Sequence, residues 1–180
     1  SQFWSGLSAH DAYPSIEEYQ RYIGRMRDIP RYFDEQIVNM RAGLTRGFSV
    51  PRASLEGRDA TIAAYVDTDP AKNPFYGTFT KMPSTIPAAD QERLRAEAQQ
   101  VIAQTVAPAY AKLLTFFKDE YLPKARTTLA AEAMPDGKAF YQAQTKEYTT
   151  TALTAEQIHE IGLKEVARIT AEMEQVKEKA

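Results

Sequence analysis

Apolar residues recur along this chain at intervals of three and four, the spacing that places them on one side of an α-helix. Ile16, Tyr19, Ile23 and Met26 make the first such stripe. It opens at Ser15-Ile16-Glu17-Glu18, which has the form of a capping box, where serine oxygen and glutamate carboxylate satisfy orphan backbone donors. A break is expected at Ile29-Pro30. Pro30 suits the first turn of a second helix, since its missing N–H would be an orphan there anyway. Phe33, Ile37, Met40 and Leu44 then line one face, Gly47 offers a left-handed stop and Pro51 lies beyond it. The two helices are expected to pack as a helical hairpin.

A third helix is predicted from Pro51 to about Val66, diluted by alanine and by Gly57, which costs about 1 kcal/mol against alanine. Residues 67–87 carry four prolines and a glycine among aromatics, so helix cannot run through them. Phe75, Tyr76 and Phe79 point to an ordered loop packed on helices, with a cleft wall as the sharper alternative. A long helix should start near Pro87 and pass Leu94, Ala98, Val101 and Leu113 to Tyr121, with a kink or break at Pro108 and an end at Pro123. Pro135-Asp136-Gly137 is a turn signal ahead of a shorter helix with Phe140, Tyr141, Gln144 and Tyr148. Thr154-Ala155-Glu156-Gln157 is a second capping box, opening a last helix with Ile158, Val166, Ile169, Met173 and Val176 along one side. Period-two alternation is absent, and the expected class is all-α, an irregular multi-helix bundle with a long Pro-rich aromatic loop.

Length and charge narrow the function classes. The 180 residues can hold one ordinary core, and a single helical domain over 1–180 is expected. A net charge of -2 argues against nucleic acid, whose phosphates demand a concentrated basic surface. With no cysteine, thiol catalysis, disulfides and thiolate zinc sites are excluded. No window approaches the ~20 apolar residues of a membrane span, and the opening SQFWSGLSAHDAYPS lacks signal character, with Phe3 and Trp4 as expected anchors. The last helix has no glycine, asparagine or proline to stop it, so a fragment of a longer protein is expected.

Candidate chemistry is sparse. His159-Glu160 begins like a zincin helix, but one turn later stands Leu163, and His10 is the other histidine. No G-x-S-x-G and no phosphate-cradling glycine loop is present. Adjacent carboxylates such as Asp34/Glu35 and Asp119/Glu120 diverge on a helix and cannot act as an acid/base couple. The tyrosines, among them Tyr32, Tyr65, Tyr76, Tyr110, Tyr121, Tyr141 and Tyr148, read mostly as core positions with the hydroxyl at the rim. Arg52, Asn73, Phe75 and Tyr76, at loop and helix junctions, remain as candidate substrate contacts. No catalytic and no metal-ligating residue is assigned.

The strings IPRYFDEQIVNMRAGLTRGFSVPR, NPFY, IPAADQERLRAEA, VAPAYAKLLTFFKDEYLP, MPDGKAFYQ and TTTALTAEQIHEIGLKEVARI, in this order, make the chain resemble the N-terminal part of the "domain of unknown function 885" family. The resemblance spans nearly the whole sequence and implies an all-helical protein similar to two-lobed zinc peptidases, bacterial and periplasmic or anchored as a lipoprotein. In that family the metal segment, His-Glu followed by Gly-His-His, lies downstream of the matched region, so no zinc residue carries over and His159-Glu160 is not that motif. The implied role is a non-catalytic N-terminal helical lobe of a zinc-dependent peptidase or hydrolase, lining or covering the substrate cleft. No cofactor is expected in this chain, and zinc is expected in the full-length parent. Implied partners are the missing C-terminal catalytic region and peptide substrate, with self-association through the uncovered apolar surface. The alternative is a self-standing helical binding or scaffold protein without enzymatic activity.

Overall fold

Ser15 opens the first helix as its sequence predicts, its Oγ accepting from the Glu18 N–H at 3.3 Å. Helix α1 then runs from Ile16 to Thr45 with Pro30 inside it. The expected break at Ile29-Pro30, and the hairpin built on it, give way to one continuous helix. A mid-helix proline costs ~3 kcal/mol. Against that, seven side chains of α1 are buried on one stripe, from Tyr19 to Ile29 before the proline and Phe33 and Ile37 after it. Each full burial of a large apolar side chain contributes ~1.5–3 kcal/mol, so keeping both halves in line outweighs the lost bond. The helix ends where expected: Gly47 takes φ 78, Phe48 N donates to Gly43 O at 2.8 Å and Gly47 N to Leu44 O at 3.1 Å, the paired bonds of a Schellman stop.

The computed structural model describes residues 12–179; Phe3, Trp4 and His10 lie outside the described residues. Among these the class is all-α, with no strand, and no helix is long and apolar enough to cross a membrane. The chain divides into two compact units, with the boundary between Thr127 and Thr128.

In the first unit the predicted helix from Pro51 to Val66 is split. A 3-10 turn, Arg52–Ser54, is followed by Gly57 at φ 74, and only then by α2, Arg58–Ala63. The glycine accepts a left-handed angle that other residues resist, and the helix restarts after it. Residues 67–87 form no long helix, as expected, but hold a 3-10 turn, Pro74–Tyr76, and the single helical turn α3, Gly77–Thr80. From Ala88 to Lys124 the chain is helical throughout: α4 (Ala88–Val101), a π turn (Ile102–Val106), α5 (Ala107–Phe116), a second π turn (Phe117–Tyr121) and α6 (Leu122–Lys124). Each π turn ends two residues before a proline, Pro108 or Pro123. A widened turn moves aside the preceding carbonyl that the ring would strike, so the helix runs on through Pro108 without the break that was one of the two expectations.

Three ion pairs join α1 to this second run: Arg27 to Glu97 at 2.7 Å, Lys112 to Asp34 at 2.6 Å, and Arg41 to Glu120. They advance together along both helices, so the two run in the same direction. A parallel pair obliges its connection to travel back along the whole length, ~45 Å for a 30-residue helix. Residues 46–87 make that return and bury Leu55, Asn73, Phe75, Thr78, Phe79 and Ile86 on the way. The larger core joins Tyr19, Tyr22, Met26 and Phe33 to Phe75, Phe79, Leu94 and Ile102. A smaller one gathers Ile37, Leu55, Phe116, Phe117, Tyr121 and Ala125.

The second unit holds a 3-10 turn (Ala131–Ala133), α7 (Gly137–Thr149) and α8 (Ala155–Lys179). Gly137 is buried at the start of α7, where a Cβ would stand 2.1 Å from Ala131 O. Thr150 closes α7 at φ 58. The second capping box forms fully, with Gln157 N donating to Thr154 Oγ1 at 3.2 Å and Thr154 N to Gln157 Oε1 at 2.8 Å.

Candidate functional site

The aromatic loop is ordered, and its order comes from one buried amide. Asn73, 3% exposed, donates through Nδ2 to Asp67 O at 2.9 Å and to Tyr65 O at 3.2 Å, and accepts through Oδ1 from Phe75 N at 3.1 Å. All of its hydrogen-bonding chemistry turns inward. Phe75 is buried, with its ring 5.4 Å from Tyr65 and 6.0 Å from Tyr110. Two hydroxyls of α1 hold the loop backbone from below: Tyr19 donates to Thr78 O at 3.0 Å and Tyr22 to Phe75 O at 3.3 Å. Tyr76 is half-buried, stacked on Phe79 at 5.8 Å, and its hydroxyl accepts from Gln99 Nε2 at 3.1 Å.

Arg52 is held elsewhere. Its backbone N donates to Arg126 O at 2.8 Å and its Nη2 to Pro123 O, tying the return segment to the end of α6. Arg126 answers with bonds from N to Ser49 Oγ and from Nε to Ser49 O, at 2.9 and 3.0 Å. Arg52 Nε is buried without a partner, as is Thr78 Oγ1. The four residues singled out from the sequence therefore fall into two places: Asn73, Phe75 and Tyr76 share the loop, and Arg52 clasps the helix end. The sequence reading missed the anchoring hydroxyls of Tyr19 and Tyr22, whose spacing of three on one stripe was the available signal.

The electrostatics of this region follow burial. Desolvation, reinforced by Tyr65 and Tyr22, raises the Tyr110 hydroxyl well above the usual tyrosine range, and desolvation does the same for Tyr22. Exposed carboxylates move the other way: hydrogen bonds from Arg41 lower Glu120 and from Arg31 lower Asp28. None of these groups forms an acid/base couple. The donor set does not fit zinc either. Among the described residues no three His, Cys, Asp or Glu side chains converge for a metal ion, and His159 is exposed on α8 with Leu163 one turn on.

In the second unit, Phe140, Tyr141, Tyr148 and Ile158 line an open apolar groove of about 550 Å³. Tyr141 and Tyr148 were expected at core positions, and both are exposed there. The period of α7 places them on a common face, and that face has no layer over it.

A crystal structure described as that of "the putative lipoprotein from Colwellia psychrerythraea" is similar at a TM-score of 0.78 and 24% identity, with 91% of this chain and 28% of that chain covered. The chain thus spans under a third of that protein's length, and the likeness is one of fold. A comparison with curated proteins finds no match. The model of the family described as "Bacterial protein of unknown function (DUF885)" matches residues 1–180, and this all-α chain, with its buried aromatic loop, belongs to that family.

Proposed function

We propose that this chain is the non-catalytic N-terminal helical lobe of a longer zinc-dependent peptidase or hydrolase, lining or covering its substrate cleft. The observation that carries the reading is one of proportion: the shared architecture takes up 91% of this chain and 28% of the similar Colwellia chain. A fold that is a minor part of a longer polypeptide acts there as one lobe among others. Zinc ligands of the longer protein would come from outside these residues, since the described ones bring no donor set together. Asn73 and Phe75 would serve by fixing the loop, and Tyr76 and Arg52, which keep part of their side chains at the surface, would meet peptide. The similarity to a protein described as a lipoprotein supports a periplasmic or lipid-anchored location.

Zinc content and peptide cleavage test this reading on two polypeptides, the 180-residue chain and the longer protein that carries it. The longer protein should hold about one zinc and cleave peptides until a chelator is added, and the short chain should do neither. Replacing Arg52, Asn73, Phe75 and Tyr76 singly with alanine should raise KM in the longer protein. Chelator-sensitive cleavage by the short chain alone would overturn the assignment. The second reading, a helical binding or scaffold protein, is favoured by the open aromatic groove of the second unit; a longer protein with no zinc would decide for it.

A further inference from the structure

The C-terminal helix carries an apolar stripe that its own unit leaves bare beyond Ile158, which is part-buried at the groove lined by Phe140, Tyr141 and Tyr148. Ile158, Val166, Ile169, Met173 and Val176 lie at helical intervals on one face, within about 80° of one another at 100° per residue. No residue of α8 is buried, and Val166, Met173 and Val176 are 64, 66 and 67% exposed. Gly162 occupies the remaining position of the same face, and a Cβ built there meets nothing within 4 Å. A glycine inside a helix costs ~1 kcal/mol against alanine; on an apolar face it also lets another backbone come close. One flank of the stripe is polar, with Arg168 bridging Glu165 and Glu172 at 2.8 and 2.6 Å.

Two features say what covers it. The stripe extends ~27 Å from Ile158 to Val176, the length of a packed helix of ~18 residues and more than a small ligand uses. In the Colwellia structure, moreover, the polypeptide outside the shared fold is more than twice the length of the shared part, which is 28% of that chain. We infer that the α8 face formed by Ile158, Gly162, Val166, Ile169, Met173 and Val176 is an intramolecular docking surface, covered by a helix from the part of the longer protein outside these 180 residues. The inference shares with the proposed function only the premise that the protein is longer; it requires neither zinc nor peptidase activity.

Hydrogen exchange tests it in the 180-residue chain and in the longer protein. Backbone amides from Ile158 to Val176 should exchange at least ~100-fold more slowly in the longer protein, with protection in α1 equal in both. Ile169→Glu, at an exposed position, leaves the short chain folded and should remove most of that difference in the longer one while α1 stays protected. Equal α8 exchange in the two polypeptides overturns the inference. So does a longer protein that is dimeric in light scattering and returns to monomer with Ile169→Glu, because the face then belongs to a second copy. A longer protein that protects α8 but holds no zinc and cleaves nothing would end the peptidase reading and leave the docking surface standing.

Discussion

Tyr65 stacks on Tyr110, ring centroids 4.7 Å apart and planes at 22°. Tyr110 in turn receives Phe33 of α1 edge-on at 4.9 Å and 89°. The return segment is thereby fastened to both parallel helices through one ring, and aromatic pairs of this kind contribute ~0.5–1.5 kcal/mol beyond their buried area.

This buried tyrosine cluster makes the fold sensitive to alkali. Desolvation raises Tyr22 and Tyr110 in the folded state, so the unfolded chain loses those protons first. Their contribution is complete below the ordinary tyrosine value of ~10 and is lost as pH climbs above it, by up to ~1.4 kcal/mol per pH unit for each tyrosine. Urea midpoints should be level at neutral pH and fall beyond about pH 10. A midpoint unchanged well above that value would show that these hydroxyls ionise alike in both states.

Asn73→Ala removes the acceptor for Phe75 N and the donors to Tyr65 O and Asp67 O. Buried groups left unpaired cost ~1–3 kcal/mol each, and relaxation toward water recovers part of the sum. A loss of about 3 kcal/mol is expected from chemical denaturation, and Asn73→Asp should fare no better, since a carboxylate faces two carbonyls. A loss under ~0.5 kcal/mol would mean that the loop is not held by this amide.

Pro30→Ala should stabilise the protein. The substitution supplies the N–H that Met26 O lacks and replaces the poorest helix former with the best, for a gain of about 1–3 kcal/mol. Thermal midpoints measure it. A lower midpoint would show that packing of the half-buried ring outweighs the restored bond.

Gly137→Ala places a methyl 2.1 Å from Ala131 O, with Glu132 backbone atoms at 2.8 Å. Backbone cannot yield as a flexible side chain does, so about 3 kcal/mol is expected. Hydrogen exchange should show α7 opening while α1, in the other unit, keeps its protection. Unchanged α7 exchange would place the 3-10 turn farther from Gly137 than the structure has it.

Helix ends were legible in the sequence because capping is local chemistry. Ser15, Gly47 and the Thr154-Gln157 box act on backbone groups within a few residues, and no distant partner enters. Pro30 and Gly57 show the limit from opposite sides. Both are breakers on propensity alone, yet Pro30 sits inside a continuous helix with buried residues on either side, and Gly57, which is exposed, stands left-handed at the start of α2 and divides the predicted helix. Asn73 is a candidate contact by its place at a loop and helix junction, and only the folded loop turns its amide wholly inward. Thr78, buried in the same segment, carries no mark in the sequence at all.

By itself, then, the order of residues determined that the chain is helical, which side chains share a face and where most helices begin and stop, since period and capping depend on neighbours close in sequence. What lies against each face was decided by the tertiary structure alone. Met26 and Val166 both occupy regular helical stripes, but one is fully enclosed between α1 and its parallel partner while the other stands open on α8. Periodicity sets a direction around a helix axis, whereas burial requires another element to arrive there, and that arrival depends on contacts between residues far apart along the chain.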